Sequence, residues 1–356
     1  MTPSPSSPSQ APAPPSDDWR RPAIVVAGLV VLFLAMLSAF ALPPLHSKPH
    51  DIPIAVAGPS GPAGQLRDQL REQDPGAFDI ATLGNGQEAK DRILDRDAYG
   101  AFVTDGTHTT VLVAGAASPA VANTLKTLAV QLGEAQGAAV PVEDVRPLPP
   151  DDPTGAGLSA GAFPLALGGW ICAAVLLATV PRQRQRVVAA FAFSVTGAMA
   201  LTALLQYGFG SLDGNYWLTS AGAALGIAAT AWTILGLRTA FGNAGLGLGA
   251  VTMIFVGNPL SGLSSAPELL PSGWGTLGQF LPPGATGSLL RSFAFFDGAG
   301  SARPLIVLSC WLAGGLALYV IGLRRLRGKG AAVPSANSEG KPSSEDNPSE
   351  ELLPTA

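Results

Sequence analysis

Apolar residues gather into six stretches along the chain, and their spacing is uneven. The first covers residues 23 to 42. After a long polar interval come 163–180, 187–206, 217–237, 245–263 and 304–323, joined by short polar or glycine-rich links. Each is close to the ~20 residues that a helix needs to cross the hydrocarbon core. The pattern predicts an α-helical polytopic membrane protein with six transmembrane helices. One helix at 20–42 is followed by a folded insert at 43–160, then by a five-helix membrane domain at 161–324. The first run ends in Ala39, Phe40 and Ala41, a small-x-small pattern like a signal-peptidase site. It is longer than the ~7–15 residues of a signal-peptide core, so a retained anchor is expected.

Inside the insert the period of the pattern changes. IPIAVA at 52–57 and FDIATL at 78–83 read as strands, and 63–73 and 86–96 as polar-faced helices. Runs at 99–104 and 109–114 bracket Asp105, Gly106, Thr107 and His108, a hairpin signal. Ser118 stands as the cap of a helix reaching 132, with Leu125, Leu128 and Leu132 at helical spacing. Residues 140–148 add a last strand. The expectation is a small α/β extracytoplasmic domain between helices 1 and 2, ordered β-α-β-α-β-β-α-β. GPSG at 58–61 superficially matches an intramembrane serine motif, but it sits in this insert as a tight turn.

The fifth membrane stretch closes with FVGNPLSG at 255–262. Pro259 removes a backbone hydrogen bond, so the helix should kink or break near Asn258. Residues 264–303 are too apolar for a free aqueous loop and too interrupted by proline and glycine for a span. Two short interfacial helices, near Leu269 and around 289–296, satisfy both constraints. Glu268 and Arg291 would then face water or line a cavity, either as anchoring charges or as substrate contacts.

Composition agrees with the membrane reading. Charged residues are 13% and apolar residues 47% of the chain, whereas a soluble domain carries about 25% charge. The basic residues cluster at Arg20 and Arg21, at Arg182, Arg184 and Arg186, at Arg238, and at Arg324, Arg325, Arg327 and Lys329. These flank alternate helix ends, and short basic loops stay cytoplasmic, so both termini are expected inside. The segregation leaves the net charge of −4 uninformative. Residues 1–19 and 325–356, rich in proline and serine, read as disordered cytoplasmic tails. Arginine outnumbers lysine, and alanine, glycine and proline abound, a composition in keeping with a GC-rich bacterium and its cell membrane.

The chemical inventory excludes more than it offers. No Asp, Glu, Lys or His lies within the six cores, where proton relays and intramembrane proteases place theirs. There is no H-E-x-x-H and no phosphate-binding G-x-x-x-x-G-K-[ST] loop. The chain reads as no enzyme, and any ATP hydrolysis would fall to a partner. Cys172 and Cys310 lie in apolar spans and form no disulfide or zinc framework. His46, His50 and Asp51 can be drawn as a metal site, but Pro44 and Pro49 oppose the helix that would align them. Solvated histidines, no metal and no cofactor are expected. A basic patch suited to nucleic acid is absent from the insert.

The outer insert after span one, the five clustered spans and the proline-punctuated short helices between spans five and six resemble the type-2 ABC exporter permeases. The stretch 88–127, with its YGAFVT and TTVLVAG runs, is similar to the outer domains of that superfamily. The branch most resembled holds the YhgE/Pip phage-infection proteins and related actinobacterial membrane proteins, and the resemblance covers about 20–327. It implies a permease-like subunit, working as a homodimer within membrane lipid, that exports a lipid-like or amphipathic substrate with an ATP-binding cassette partner. It implies contact of that partner with Arg182, Arg184 and Arg186, and gating around Asn258 and Pro259 beside Glu268 and Arg291. The link 181–186 is short for such coupling. That favours the alternative, a non-transporting scaffold or receptor whose outer domain binds a cell-surface or secretion partner.

Overall fold

The computed structural model describes residues 19–45, 48–263 and 265–331. Most of both expected tails, and His46 of the drawn metal site, lie outside the described residues.

A helix, α1 (Arg20–Leu45), leads into a five-stranded sheet: β1 (Ile52–Ala57), β2 (Phe78–Leu83), β3 (Gly100–Thr104), β4 (Thr109–Val113) and β5 (Val142–Asp144). Three helices alternate with these strands, α2 (Ser60–Gln73), α3 (Gly86–Leu94) and α4 (Pro119–Gln136). The predicted β-α-β-α-β-β-α-β order is the observed one. The strand order is β2-β1-β3-β4-β5, with β1 parallel to β2 and β3, β3 antiparallel to β4, and β4 parallel to β5. The last strand is shorter than expected, three residues rather than the run 140–148.

Strand side chains alternate between faces, and here the two faces differ in size. Ile52, Ile54 and Val56 of β1, Phe102 of β3, and Val111 and Val113 of β4 share a core with α2 and α4. Ala55, Ala57, Ala101 and Leu112 point the other way, toward α3. That second core does not stop at the domain edge. It continues through Leu158, Ala198, Leu205, Leu290 and Phe295, all in the membrane block. The bulky face packs on α2 and α4 and also takes in Ala266 and Leu269 from the segment after the helix Asn243–Ala250, while the alanine face continues directly into the helical block.

Those helices are α5 (Ala156–Thr179), α6 (Gln183–Ala203), α7 (Tyr216–Phe241), α8 (Asn243–Ala250), α9 (Trp274–Gln279), α10 (Pro282–Phe295) and α11 (Ala302–Ala331). Among the described residues, four helical runs are long and apolar enough to cross a membrane: Arg20–Leu42, Gln183–Gly208, Tyr216–Phe241 and Ala302–Arg325. The protein is therefore mainly helical, with several candidate membrane spans and one small mixed sheet. Two apolar runs are shorter, Leu167–Thr179 within α5 and Asn243–Gly257 through α8. At 1.5 Å per residue the second reaches only about 22 Å, below the ~30 Å hydrocarbon core.

α7 is the hub, packed against α5, α6, α8, α10 and α11. Its small residues allow this. A side chain at Gly222 would strike Phe293 and one at Gly226 would strike Thr286, both on α10. The small-xxx-small spacing thus serves packing within the chain.

The segment after α8 departs from the expected pattern. The helix widens into a π turn at Val251–Gly257, and Pro259 opens a 3-10 turn, Pro259–Ser261, so the break falls where the missing N–H requires it. Another 3-10 turn, Pro267–Leu269, stands where a short helix was expected near Leu269. The helix expected over 289–296 is instead the longer α10, and almost all its residues are buried, with α7, α11, α9 and α5 packed around it. Its apolar residues seek neighbouring helices rather than a surface.

Candidate functional site

Where α10 meets the outer sheet, the apolar packing gives way to a cavity of about 400 Å³. Arg96, Tyr99, Glu268, Gln279, Arg291 and Arg303 line it, and His50 and Asp51 add to its outer wall. Every element around it holds these groups for a local reason.

Arg96 follows the end of α3. Its φ is +66°, and the N–H groups of Arg96 and Asp97 return to the Ile93 and Arg92 carbonyls. This is the left-handed position that usually carries glycine after a helix. An arginine there pays a backbone cost and reaches across to α10. Its Nη1 donates to the Ser288 carbonyl at 2.9 Å and to Ser292 Oγ. The guanidinium carbon lies 5.4 Å from the Phe296 ring centre. Among the described residues, three non-glycine residues have positive φ: Asp51, Arg96 and Asp297. The first two line the cavity, and the third pairs with Arg146 at 2.9 Å across the same seam.

Tyr99, just before β3, donates its hydroxyl to Glu268 Oε2 at 2.8 Å. Glu268 belongs to the 3-10 turn, and its carbonyl also accepts the His50 N–H at 3.0 Å. Ser118 adds a third tie: its Oγ caps α4 through the Val121 N–H and donates to the Ser265 carbonyl at 2.8 Å. The turn carrying Glu268 is thereby fastened to the outer domain.

Arg291 lies at 6% exposure in α10 and donates Nη2 to the Leu263 carbonyl at 3.1 Å. Ion pairs within 4.0 Å among the described residues include neither Arg96 nor Arg291. Removing an ion from water costs on the order of several kcal/mol, and burial acts on both groups. It lowers the Arg96 guanidinium to about 10, with the like charge of Arg291 pushing the same way, while Tyr99 and Glu268 oppose it. Arg291 is lowered by burial as well, against the opposing Tyr99 and Glu268. Both remain cations at neutral pH. Burial, then the charge of Glu268 and the hydrogen bond to it, raises the Tyr99 hydroxyl above the usual tyrosine range. Arg96 and Tyr99 are half-buried, and both line the cavity.

Gln279 is committed to structure, donating to the Ser261 carbonyl at 2.8 Å and accepting from Ser288 Oγ at 2.6 Å. At the rim, exposed Arg303 at the start of α11 stacks over Phe280, 5.0 Å to the ring centre.

Glu268 and Arg291, singled out from sequence, come together here. Asn258 and Pro259 do not line this cavity; they form the helix break beside it. Arg182 and Arg184 are exposed at the α5–α6 link, whereas Arg186 donates Nε and Nη2 to the Val180 carbonyl at 3.2 and 2.8 Å. That arginine is engaged in closing the end of α5. Arg96, Tyr99 and Arg303 were not anticipated. The only sequence signal was an Asp-Arg-Asp run at 95–97 ending a helix, which reads as ordinary solvated surface. Among the described residues no group of His, Cys, Asp and Glu could hold a metal. Comparisons with protein-family models, curated proteins and solved structures found no match.

Proposed function

We propose that this chain is a permease-like membrane subunit of an ABC-type exporter, handling a lipid-like or otherwise amphipathic substrate at the outer face of a bacterial cell membrane. The observation that carries this reading is the polar cavity held between the outer domain and the buried α10, beside a broken helix. In this reading α5 and the run through α8 complete six crossings, both termini are cytoplasmic, and two copies work together. Helix breaks supported by surrounding protein are a recurrent way to build a site at membrane depth. An ATP-binding cassette partner would meet the chain at exposed Arg182 and Arg184.

The test is copurification and efflux. The solubilised protein should bring down an ATP-binding subunit, and inverted vesicles should accumulate an amphipathic dye only with ATP. Absence of both overturns the reading. Sidedness is checked in a cysteine-free background, where Ser60→Cys and Thr107→Cys should label with an impermeant reagent on intact cells. Both positions are exposed.

One observation favours a second reading, a scaffold or receptor whose outer domain captures a surface partner. Only Val180, Pro181 and Arg182 join α5 to α6, a small platform for an ATPase. Under that reading no ATP-binding subunit copurifies, and an outer-surface protein does.

A further inference from the structure

The geometry points to an anion site in the cavity between the outer domain and α10, whose occupant is the phosphate-bearing, net-negative head of a membrane amphiphile. This deepens the amphipathic-substrate reading and rests on it for the membrane setting only.

Three guanidiniums converge from three separate elements: Arg96 from the end of α3, Arg291 from α10 and Arg303 from the start of α11. Two carboxylates face them. Glu268 already accepts the Tyr99 hydroxyl, and Asp51 is exposed at the outer wall. The deeper pair, Arg96 and Arg291, therefore shares one engaged carboxylate, and among the described residues neither has an ion pair within 4.0 Å. A guanidinium presents five donors. Arg291 spends one on the Leu263 carbonyl. The residue lines the cavity wall. Convergent arginine forks match phosphate oxygens in geometry and charge. The strained backbone at Arg96 is what aims one of them, and strain of this kind gathers at ligand sites.

The volume, about 400 Å³, suits a head larger than a bare phosphate. The apolar half of the ligand has a surface to meet. α9 gives Gly275, Thr276 and Gln279 to the cavity, while Trp274 and Leu277 on the same helix, and Phe280 just after it, remain 37%, 50% and 52% exposed. A head in the cavity would leave its chains beside that apolar strip.

The experiment uses the full-length protein in detergent with spin-labelled phosphatidylglycerol, read by electron paramagnetic resonance as the immobilised fraction. The wild type should hold this lipid at least tenfold better than labelled phosphatidylcholine. Arg291→Gln and Arg96→Gly should each abolish the preference, and Arg238→Gln, at the far end of α7, should keep it. Arg96→Gly guards against misfolding, since glycine suits φ +66°. Equal retention by both variants, or equal retention of the two lipids by the wild type, overturns the site. Displacement by millimolar inorganic phosphate would uphold the cationic cavity but overturn the lipid as its occupant. The readout involves no ATPase and no transport. Loss of copurification with intact lipid preference would sink the exporter reading alone, whereas indifferent lipid binding would sink the site alone.

Discussion

The Tyr99 hydroxyl donates to Glu268 Oε2 at 2.8 Å across 169 positions of sequence, joining the outer sheet to the turn that precedes α9. Both groups face the cavity. Their bond fixes the carboxylate that stands against Arg96 and Arg291, so it sets the field of the whole chamber.

Tyr99→Phe should destabilise the protein by about 1–3 kcal/mol, the cost of leaving a partly buried acceptor unpaired. The folded state raises the Tyr99 hydroxyl above its usual value. Its contribution is therefore complete below the unfolded value near 10 and declines as pH rises beyond it. Arg96, lowered to about 10 in the folded state, acts with the opposite sign in that range but is common to both proteins. Thermal unfolding in detergent should thus show a wild-type advantage over Tyr99→Phe that is constant from pH 7 to 9 and narrows above 10. A gap that widens would contradict the assignment.

The β3–β4 hairpin should be acid-sensitive. Asp105 Oδ1 accepts the Thr107 and His108 backbone N–H groups at 2.8 and 2.7 Å, and these bonds, His108 first, hold its carboxyl at about 2. The stabilisation is present above the unfolded value, ~3.9, and fades as pH falls through about 2. Hydrogen exchange of a peptide covering the turn, compared at each pH with Asp105→Asn, should show extra protection at pH 5 that is gone near pH 1.5. Identical protection ratios at both values would refute this.

Two glycines with similar sequence context should behave oppositely. A Cβ at Gly226 would collide with Thr286 of α10, whereas one at Gly247 meets nothing within 4 Å. Gly226→Ala should cost about 1–3 kcal/mol by overpacking. Gly247→Ala should be neutral or gain up to about 1 kcal/mol through helix propensity. Denaturation midpoints in detergent provide the comparison.

The basic link should divide by role. Arg186→Ala removes two hydrogen bonds to the Val180 carbonyl and should lower stability by about 1 kcal/mol. Arg182→Glu with Arg184→Glu should leave stability unchanged, both being exposed, and should weaken capture of an ATP-binding subunit. Unimpaired capture by that double variant would remove the proposed docking point.

The sheet was legible because short apolar runs such as IPIAVA and TTVLV, bounded by turn residues, read as buried strands, and because Ser118 marks the start of α4 with the cap it actually makes. Four candidate spans were legible through length and hydropathy, whereas α9 was not, because its WGTLGQ carries too much glycine to announce a helix. Pro282 and Pro283 open α10, where proline favours the first helical turn, but from sequence that helix was expected only around 289–296. The apolar residues after them were read as one wet face and are buried on all sides instead. Of the cavity, Glu268 and Arg291 stood out as charges stranded in an apolar stretch. Arg96 and Tyr99 did not, because their significance lies in what α10 and the 3-10 turn bring to them from far along the chain. A φ of +66° at an arginine leaves no trace in sequence.

The alanine side of the sheet shares one apolar cluster with residues of α5, α6, α7 and α10. The sheet domain is consequently no detachable accessory: cutting it away would expose apolar surface on both fragments, and such patches favour association. A displacement of α10 would be felt by the sheet domain, because Leu290, Ala294 and Phe295 of that helix belong to the apolar cluster the two share.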